Sequence, residues 1–319
     1  MNSSKERENR KMAGTEAATG RMSPPSSPED PVIQSLPVAI EAAPGLCRKD
    51  PVTGESCSWY HGFWPYLRVF GLAATPQRHG KFFAEMLGRL ARDGQHRRVL
   101  VSGTADYAML AHILLAYRDA DPAPEISVVD RCETPLFLCK WYMERVCPDA
   151  DIELKTKTTD ILNWDTEDRF DMLCCHSFLS QFSNLPRQAL IAKWRHLLRP
   201  GGKVVTTTRI DPAWTPQAAV FSPDQIASFG DRVYRESCQW REKLGIDPDE
   251  VAAAAKRYAE RTRTNCIGSL EELRELFETG GFKFDHLMLS HLEGKAPSSQ
   301  SGPGLNRQAV YAEIVASRA

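Results

Sequence analysis

The chain has no long hydrophobic run. No uninterrupted apolar stretch approaches the ~20 residues that a membrane-spanning helix needs, and the first residues lack the apolar core of a secretory signal. No membrane partner is therefore expected, and a cytoplasmic location is. An excess of charge is also missing. The 40 Lys and Arg nearly balance the 41 Asp and Glu, leaving a net charge of −1. A surface that neutralises many phosphates needs a basic excess, so no nucleic acid is expected as a partner. The nine cysteines are scattered, and no two of them form a CxxC pair. That gives no support to a zinc knuckle or a thioredoxin-type site. Free thiols in a reducing compartment, and no metal, are the expectation. There is no internal repeat, no Gly-x-Ser-x-Gly nucleophile turn and no phosphate-binding P-loop.

What is present is an ordinary globular composition of 319 residues, 42% hydrophobic and 25% charged. Residues 1–45 carry Ser, Pro, Glu, Lys and Arg, with the run Ser23-Pro24-Pro25-Ser26-Ser27-Pro28, and are read as a disordered tail. Residues 46–95 form an aromatic and helical cap. Trp59, Tyr60, Phe63, Trp64, Tyr66 and Phe70 cluster there, and Phe82, Phe83, Met86, Leu87 and Leu90 recur at helical spacing over 76–91. Asp93-Gly94 ends that helix.

From residue 96 onward, strands and helices alternate. Apolar runs predict strands at 98–102, 126–130, 152–155, 170–175 and 203–208, with helices at 105–118, 133–146 and 186–198. Most of these strands are continuously apolar, as expected of a parallel sheet covered on both faces. A helical insertion, 211–265, breaks the rhythm with polar helices at 223–243 and 248–262. Ser269, with Glu272 three residues on, caps one more helix that ends at Gly280-Gly281. Strands at 282–292 and 309–315, joined by a Gly/Pro/Ser-rich loop at 294–306, have no helix between them and predict an antiparallel hairpin. The expected fold is α/β: a doubly wound, mostly parallel, seven-stranded sheet with an antiparallel C-terminal hairpin, plus the N-terminal helical segment and the insertion.

Three segments carry a family likeness. Val99-Leu100-Val101 stops at Ser102-Gly103, Ile126-Ser127-Val128-Val129 stops at Asp130, and Leu198-Arg199-Pro200-Gly201-Gly202 enters an apolar strand. Together with Leu276-Phe277-Glu278-Thr279-Gly280-Gly281-Phe282 and the terminal hairpin, they resemble the class I, Rossmann-like S-adenosylmethionine-dependent methyltransferases. The likeness covers roughly 97–210 and 266–317. In that family the antiparallel seventh strand distinguishes the sheet from that of NAD-binding Rossmann domains. The glycine-rich loop diverges: Gly103, Ala105 and Tyr107 stand where glycines alternate in the family, and Val101 replaces its early acid.

The resemblance implies S-adenosylmethionine as cofactor. Gly103, Thr104, Ala105, Asp106, Asp130, Arg131, Asp160, Ile161 and His176 would hold it. Asp130 would accept from the ribose hydroxyls, Asp160 would lie by the adenine, and Asp106 would face the methionine amino group. His176, at the end of the fourth strand, is the candidate general base, because imidazole titrates near neutrality. The alternative is a histidine that packs at the strand end and bonds backbone. His61, Trp64, Phe178, Arg209 and Tyr234 are the candidate acceptor-pocket residues. The aromatic cap either closes that pocket or packs a helix on the sheet, the packing reading being favoured.

The family's DNA-amine methylating members carry an Asn-Pro-Pro-Tyr-like tetrad that is missing here, and its catechol-type members have clustered carboxylates, also missing. The activity that the resemblance implies is in-line methylation of a small-molecule acceptor at oxygen or nitrogen. The alternatives are a non-catalytic donor-binding or interaction module with a degraded loop, and a dinucleotide-dependent oxidoreductase, which the hairpin disfavours. The sequence gives no oligomeric state.

Overall fold

The computed structural model describes residues 31–50, 53–146, 152–212, 219–291 and 310–319. The stretch 1–30, Cys147 and the loop at 294–306 lie outside the described residues.

The strands are β1 (Arg98–Ser102), β2 (Glu125–Asp130), β3 (Glu153–Thr158), β4 (Phe170–His176), β5 (Leu198–Ile210), β6 (Phe282–His291) and β7 (Val310–Arg318). They form one seven-stranded sheet in the order β3-β2-β1-β4-β5-β7-β6. β1 to β5 pair in parallel, and β7 is antiparallel to both β5 and β6. This is the doubly wound sheet with an antiparallel hairpin that the sequence predicts. The interior strands are apolar because helices cover both faces: Val99, Leu100, Val101, Leu173 and Cys174 have no exposed surface. β3, at one edge, alternates and is largely exposed.

Helices α5 (Ala108–Ala116), α6 (Glu133–Val146) and α7 (Asn184–Leu197) make the crossovers. Another, α10 (Leu270–Thr279), starts at Ser269, whose hydroxyl accepts from the Glu272 amide at 3.1 Å. It stops where Gly281 adopts φ +79°. The predicted helix over 76–91 divides into a 3₁₀ turn, Pro76–His79, and α4 (Gly80–Arg92).

The tail boundary is corrected. Val32–Leu46 is a helix, α1, with Leu36, Ala39 and Ala43 buried. Its Pro37 and Pro44 face solvent, so the apolar stripe is uninterrupted even though each proline removes an intrahelical bond. α1 packs on α6 and on α3 (Trp64–Val69), which follows the short α2 (Ser58–His61).

The insertion supplies α8 (Pro223–Leu244) and α9 (Pro248–Arg261), close to the predicted spans. α8 begins with a full capping box between Ser222 and Gln225. Phe63, Leu67 and Phe70 of the cap form a separate apolar core with Phe229, Val233, Val251 and Tyr258 of the insertion. Cap and insertion are thus one unit, set over the carboxyl ends of the parallel strands.

Candidate active site

In doubly wound sheets the crevice forms at the carboxyl ends of the strands where the winding direction reverses, here between β1 and β4. A cavity of about 760 Å³ lies there. Gly103, Thr104, Ala105, Asp130, Asp160 and Ile161 line its floor, and Tyr60, His61 and Trp64 line its roof. The roof is aromatic and ordered by stacking: Tyr60 lies 5.5 Å from Trp64 and 5.9 Å from Tyr258, centroid to centroid, with both pairs tilted by only 25°. The cap therefore does both things weighed from the sequence. Phe63 and Leu67 pack inward, while Tyr60 and Trp64 close the cavity.

Asp130 is held by backbone. Its Oδ2 accepts from the Thr104 amide at 3.0 Å and its Oδ1 from the Cys132 amide at 2.8 Å. Burial pushes its pKa up, and those two bonds and the nearby His61 work against that shift. The carboxylate is fixed in position with lone pairs to spare for a ligand in the cavity.

Gly103 takes φ +74°, and a Cβ there would stand 2.2 Å from the Phe178 ring. Glycine is required for the backbone conformation and for that close approach alike. Tyr107, in the place of the loop's third glycine, does not obstruct the cavity. Its side chain turns into the core, fully buried, stacked on Tyr142 at 4.6 Å and under the Arg68 guanidinium at 4.8 Å.

Asp106 lines the cavity and also joins the loop to the cap. Its Oδ2 accepts from Trp64 Nε1 at 2.8 Å and Arg68 Nη1 at 2.9 Å, and its Oδ1 from the Ala108 amide at 2.7 Å. Both oxygens are engaged, so this carboxylate, at the edge of the cavity, latches the cap to the loop. Asp160 caps the turn Ile161–Asn163, accepting from the Leu162 amide at 3.0 Å, while Arg131 Nε stands 3.6 Å from its other oxygen. Ile161 is 3% exposed and forms part of the wall.

His176 lies in the wall with both ring nitrogens engaged. Nε2 is 2.8 Å from the Ala74 carbonyl, which can only accept, so the proton sits on Nε2. Nδ1, 2.7 Å from Thr207 Oγ1, then accepts from that hydroxyl. Burial and the neighbouring His79 push the His176 pKa down to about 3. It is neutral at physiological pH, as a base must be, but its acceptor nitrogen is already bonded. The backbone-bonded alternative describes this geometry better than the general base does.

Of the acceptor-pocket candidates, His61, Trp64, Phe178 and Arg209 do line the cavity. Arg209 is 7% exposed and pairs with Asp211 at 2.7 Å. Tyr234 is corrected: it lies on the outer face of α8, 41% exposed and away from the cavity, because the buried stripe of that helix runs through Phe229, Val233 and Ser237. Sequence reasoning missed Tyr258 and Tyr311. Tyr258 is flanked by the exposed Lys256 and Arg257, and only the helical spacing from Val251 and Ala255 marks its face as buried.

No protein-family model matches the chain, and no curated protein does. Among solved structures it is similar to magnesium protoporphyrin IX methyltransferase from Synechocystis PCC 6803 with bound SAH. The identity is 12% over 81% of this chain and 94% of that one, with a TM-score of 0.47. It is also similar to the N-methyltransferase NodS from Bradyrhizobium japonicum WM9 in complex with S-adenosyl-L-homocysteine, at 14% identity, 91% and 99% coverage and a TM-score of 0.43. A SAM-dependent methyltransferase from Methanosarcina mazei gives 14% identity, 70% and 93% coverage and a TM-score of 0.43. At these identities, what those proteins bind remains a property of those proteins.

Proposed function

We propose that the chain is a class I, Rossmann-like methyltransferase that binds S-adenosylmethionine in this cavity and methylates a small-molecule acceptor. The observation that carries this reading is the Asp130 carboxylate. It ends β2 beside the switch point, is locked by two backbone amides, and opens on the cavity. The sheet order supports it, because the antiparallel β7 is the feature that separates the methyltransferase sheet from the dinucleotide-binding one.

When bound, S-adenosylmethionine supplies an electrophilic methyl group on a sulfonium. Asp130 would accept from its ribose hydroxyls. Gly103, Thr104 and Ala105 would pass close to it, and Asp160, Ile161 and Arg131 would border the adenine end. The Tyr60–Trp64–Tyr258 stack would cover the ligand from above, and His176 would form the wall on the acceptor side. Proximity and orientation are then most of what the protein must provide. With His176 bonded on both nitrogens, the geometry favours an acceptor whose nucleophile already has a free lone pair, such as a neutral amine, over a hydroxyl that must be deprotonated. A location in the cytoplasm fits the same reading.

The test is calorimetric titration with S-adenosylmethionine, S-adenosylhomocysteine and NAD, on the wild type and on Asp130→Ala. Binding of the adenosyl ligands alone, lost in the variant, is the expected result. Binding of NAD, or of nothing, would sink the proposal. A second reading, a non-catalytic donor-binding module, is favoured by one observation: the Phe178 ring occupies the space directly against Gly103. Stoichiometric donor binding with no methyl transfer across an amine and hydroxyl acceptor panel would establish it.

A further inference from the structure

Three cysteines and a histidine, far apart in the sequence, converge beside the cavity. Cys47 ends α1, Cys57 and His61 begin and end α2, and Cys132 opens the turn into α6. Cys132 Sγ lies 3.5 Å from Cys57 Sγ and 3.7 Å from Cys47 Sγ. One ligating atom from each of the four residues falls within 4.8 Å of all the others. His61 is only 8% exposed, and its Nδ1 has no hydrogen-bond partner.

We propose that Cys47, Cys57, His61 and Cys132 form a structural zinc site. Thiolates about 2.3 Å from a tetrahedral zinc stand about 3.8 Å apart, which is close to the separations seen here. A disulfide needs its sulfurs at about 2.0 Å, would use two of the three and would leave the imidazole unexplained. A multi-iron cluster would spread its thiolates wider. Three thiolates and one imidazole are a standard structural set for zinc, and they fill all four positions, leaving none for substrate. The spacing Cys57-x₃-His61 places both ligands on one face of a helical turn. On binding, the three thiols release their protons to solvent, leaving a site of charge −1 with neutral His61. The buried Thr134 hydroxyl, 3.1 Å from Cys47 Sγ, would donate to that thiolate. Free thiols were expected from the absence of a CxxC pair. The ligands escape that pattern because they come from three separate segments.

Such a site would bolt α1 and α2 of the cap to the loop after β2. It would also act on the donor cavity indirectly, since the amide of Cys132 is one of the two that hold Asp130.

The test is elemental analysis of the full chain purified under reducing conditions without chelator. It is followed by exchange of the metal for cobalt, with Cys57→Ser as the site variant and Cys238→Ser, at an exposed cysteine outside the cluster, as control. The expected result is a single zinc per chain in the wild type and the control, lost in Cys57→Ser. The cobalt form should show sulfur-to-cobalt charge transfer and the visible bands of tetrahedral coordination. If Cys57→Ser does not fold, the metal content and cobalt spectrum of the wild type decide alone. A folded, reduced wild type that holds no zinc after zinc is supplied would overturn the proposal. So would stoichiometric iron, or a disulfide within the cluster. None of these readouts depends on donor binding, so this proposal and the methyltransferase reading can fail separately.

Discussion

Arg68 Nη1 donates to Asp106 Oδ2 across 2.9 Å, with the two side chains 1% and 6% exposed. This buried pair joins the cap to the loop that follows β1, and Trp64 adds a second donor to the same oxygen. A buried ion pair is costly to assemble, but losing one partner is costlier, because a charge is left behind without compensation. Asp106→Ala should therefore destabilise the protein by about 3 kcal/mol or more. Chemical denaturation checks it, and a loss below about 1 kcal/mol would show that the latch is dispensable.

The divergent loop makes a sharper prediction. Tyr107→Gly restores the glycine that the family pattern places there, yet the ring it removes is fully buried between Tyr142 and Arg68. Deleting a buried aromatic costs about 3–5 kcal/mol, and glycine adds backbone entropy to that. The variant should lose stability and gain no donor affinity. A gain in affinity on titration would mean that the tyrosine does restrict the cavity.

Gly103→Ala should be unfavourable for two separable reasons. A positive φ costs a non-glycine residue about 1–2 kcal/mol, and the new Cβ strikes the Phe178 ring. Adding Phe178→Ala should recover the steric part only, leaving the backbone part in the double variant. A double-mutant cycle in denaturant measures both. Additive losses would show that the ring moves aside freely.

The buried histidines set an acid limit. Burial, with His79 beside His176 and Arg68 beside His112, holds them down to about 3 and about 4 respectively. Their folded-state values lie below the unfolded value of about 6.5, so between those limits the unfolded chain binds more protons. Their contribution is full above about pH 6.5 and is lost as pH falls toward 3, with a slope of up to about 1.4 kcal/mol per unit for each group. Urea midpoints at pH 7, 5 and 4 should fall in that order, less steeply in His176→Gln. For the same reason His176 should leave no inflection near pH 6.5 in a rate profile. An inflection that His176→Gln removes would restore it as a base.

The alternation of continuous apolar runs with helical ones made β1, β2, β4, α6 and the insertion helices legible in the sequence, because burial on both faces leaves strong patterns. Asp130 was legible for a related reason: a carboxylate ending a buried apolar strand must be paired or used. α1 was hidden because Pro37 and Pro44 resemble linker composition, and only the register of Leu36, Ala39 and Ala43 marks the helix. The direction of a side chain off a loop has no periodic signature, so neither the inward turn of Tyr107 nor the latch at Asp106 could be read. Tyr234 went wrong similarly, since one position along α8 separates it from the buried Val233. The meeting of Cys47, Cys57, His61 and Cys132 depends on how three segments dock, which no local pattern records.

The core shared by cap and insertion has a kinetic consequence. Phe63 and Leu67 come before β1 in the chain, while Phe229, Val233 and Val251 come after β5, so all five parallel strands lie between the two halves. Neither half can bury its aromatic face until that sheet brings them together, and closing so long a loop precedes any reward in contacts. The roof of the cavity is thus expected to assemble last on folding and to open first under native conditions. In hydrogen exchange, amides of α8 and α9 should exchange through subglobal opening, ahead of those in β1 and β4. The chain could then admit a ligand larger than the cavity entrance without unfolding the sheet beneath.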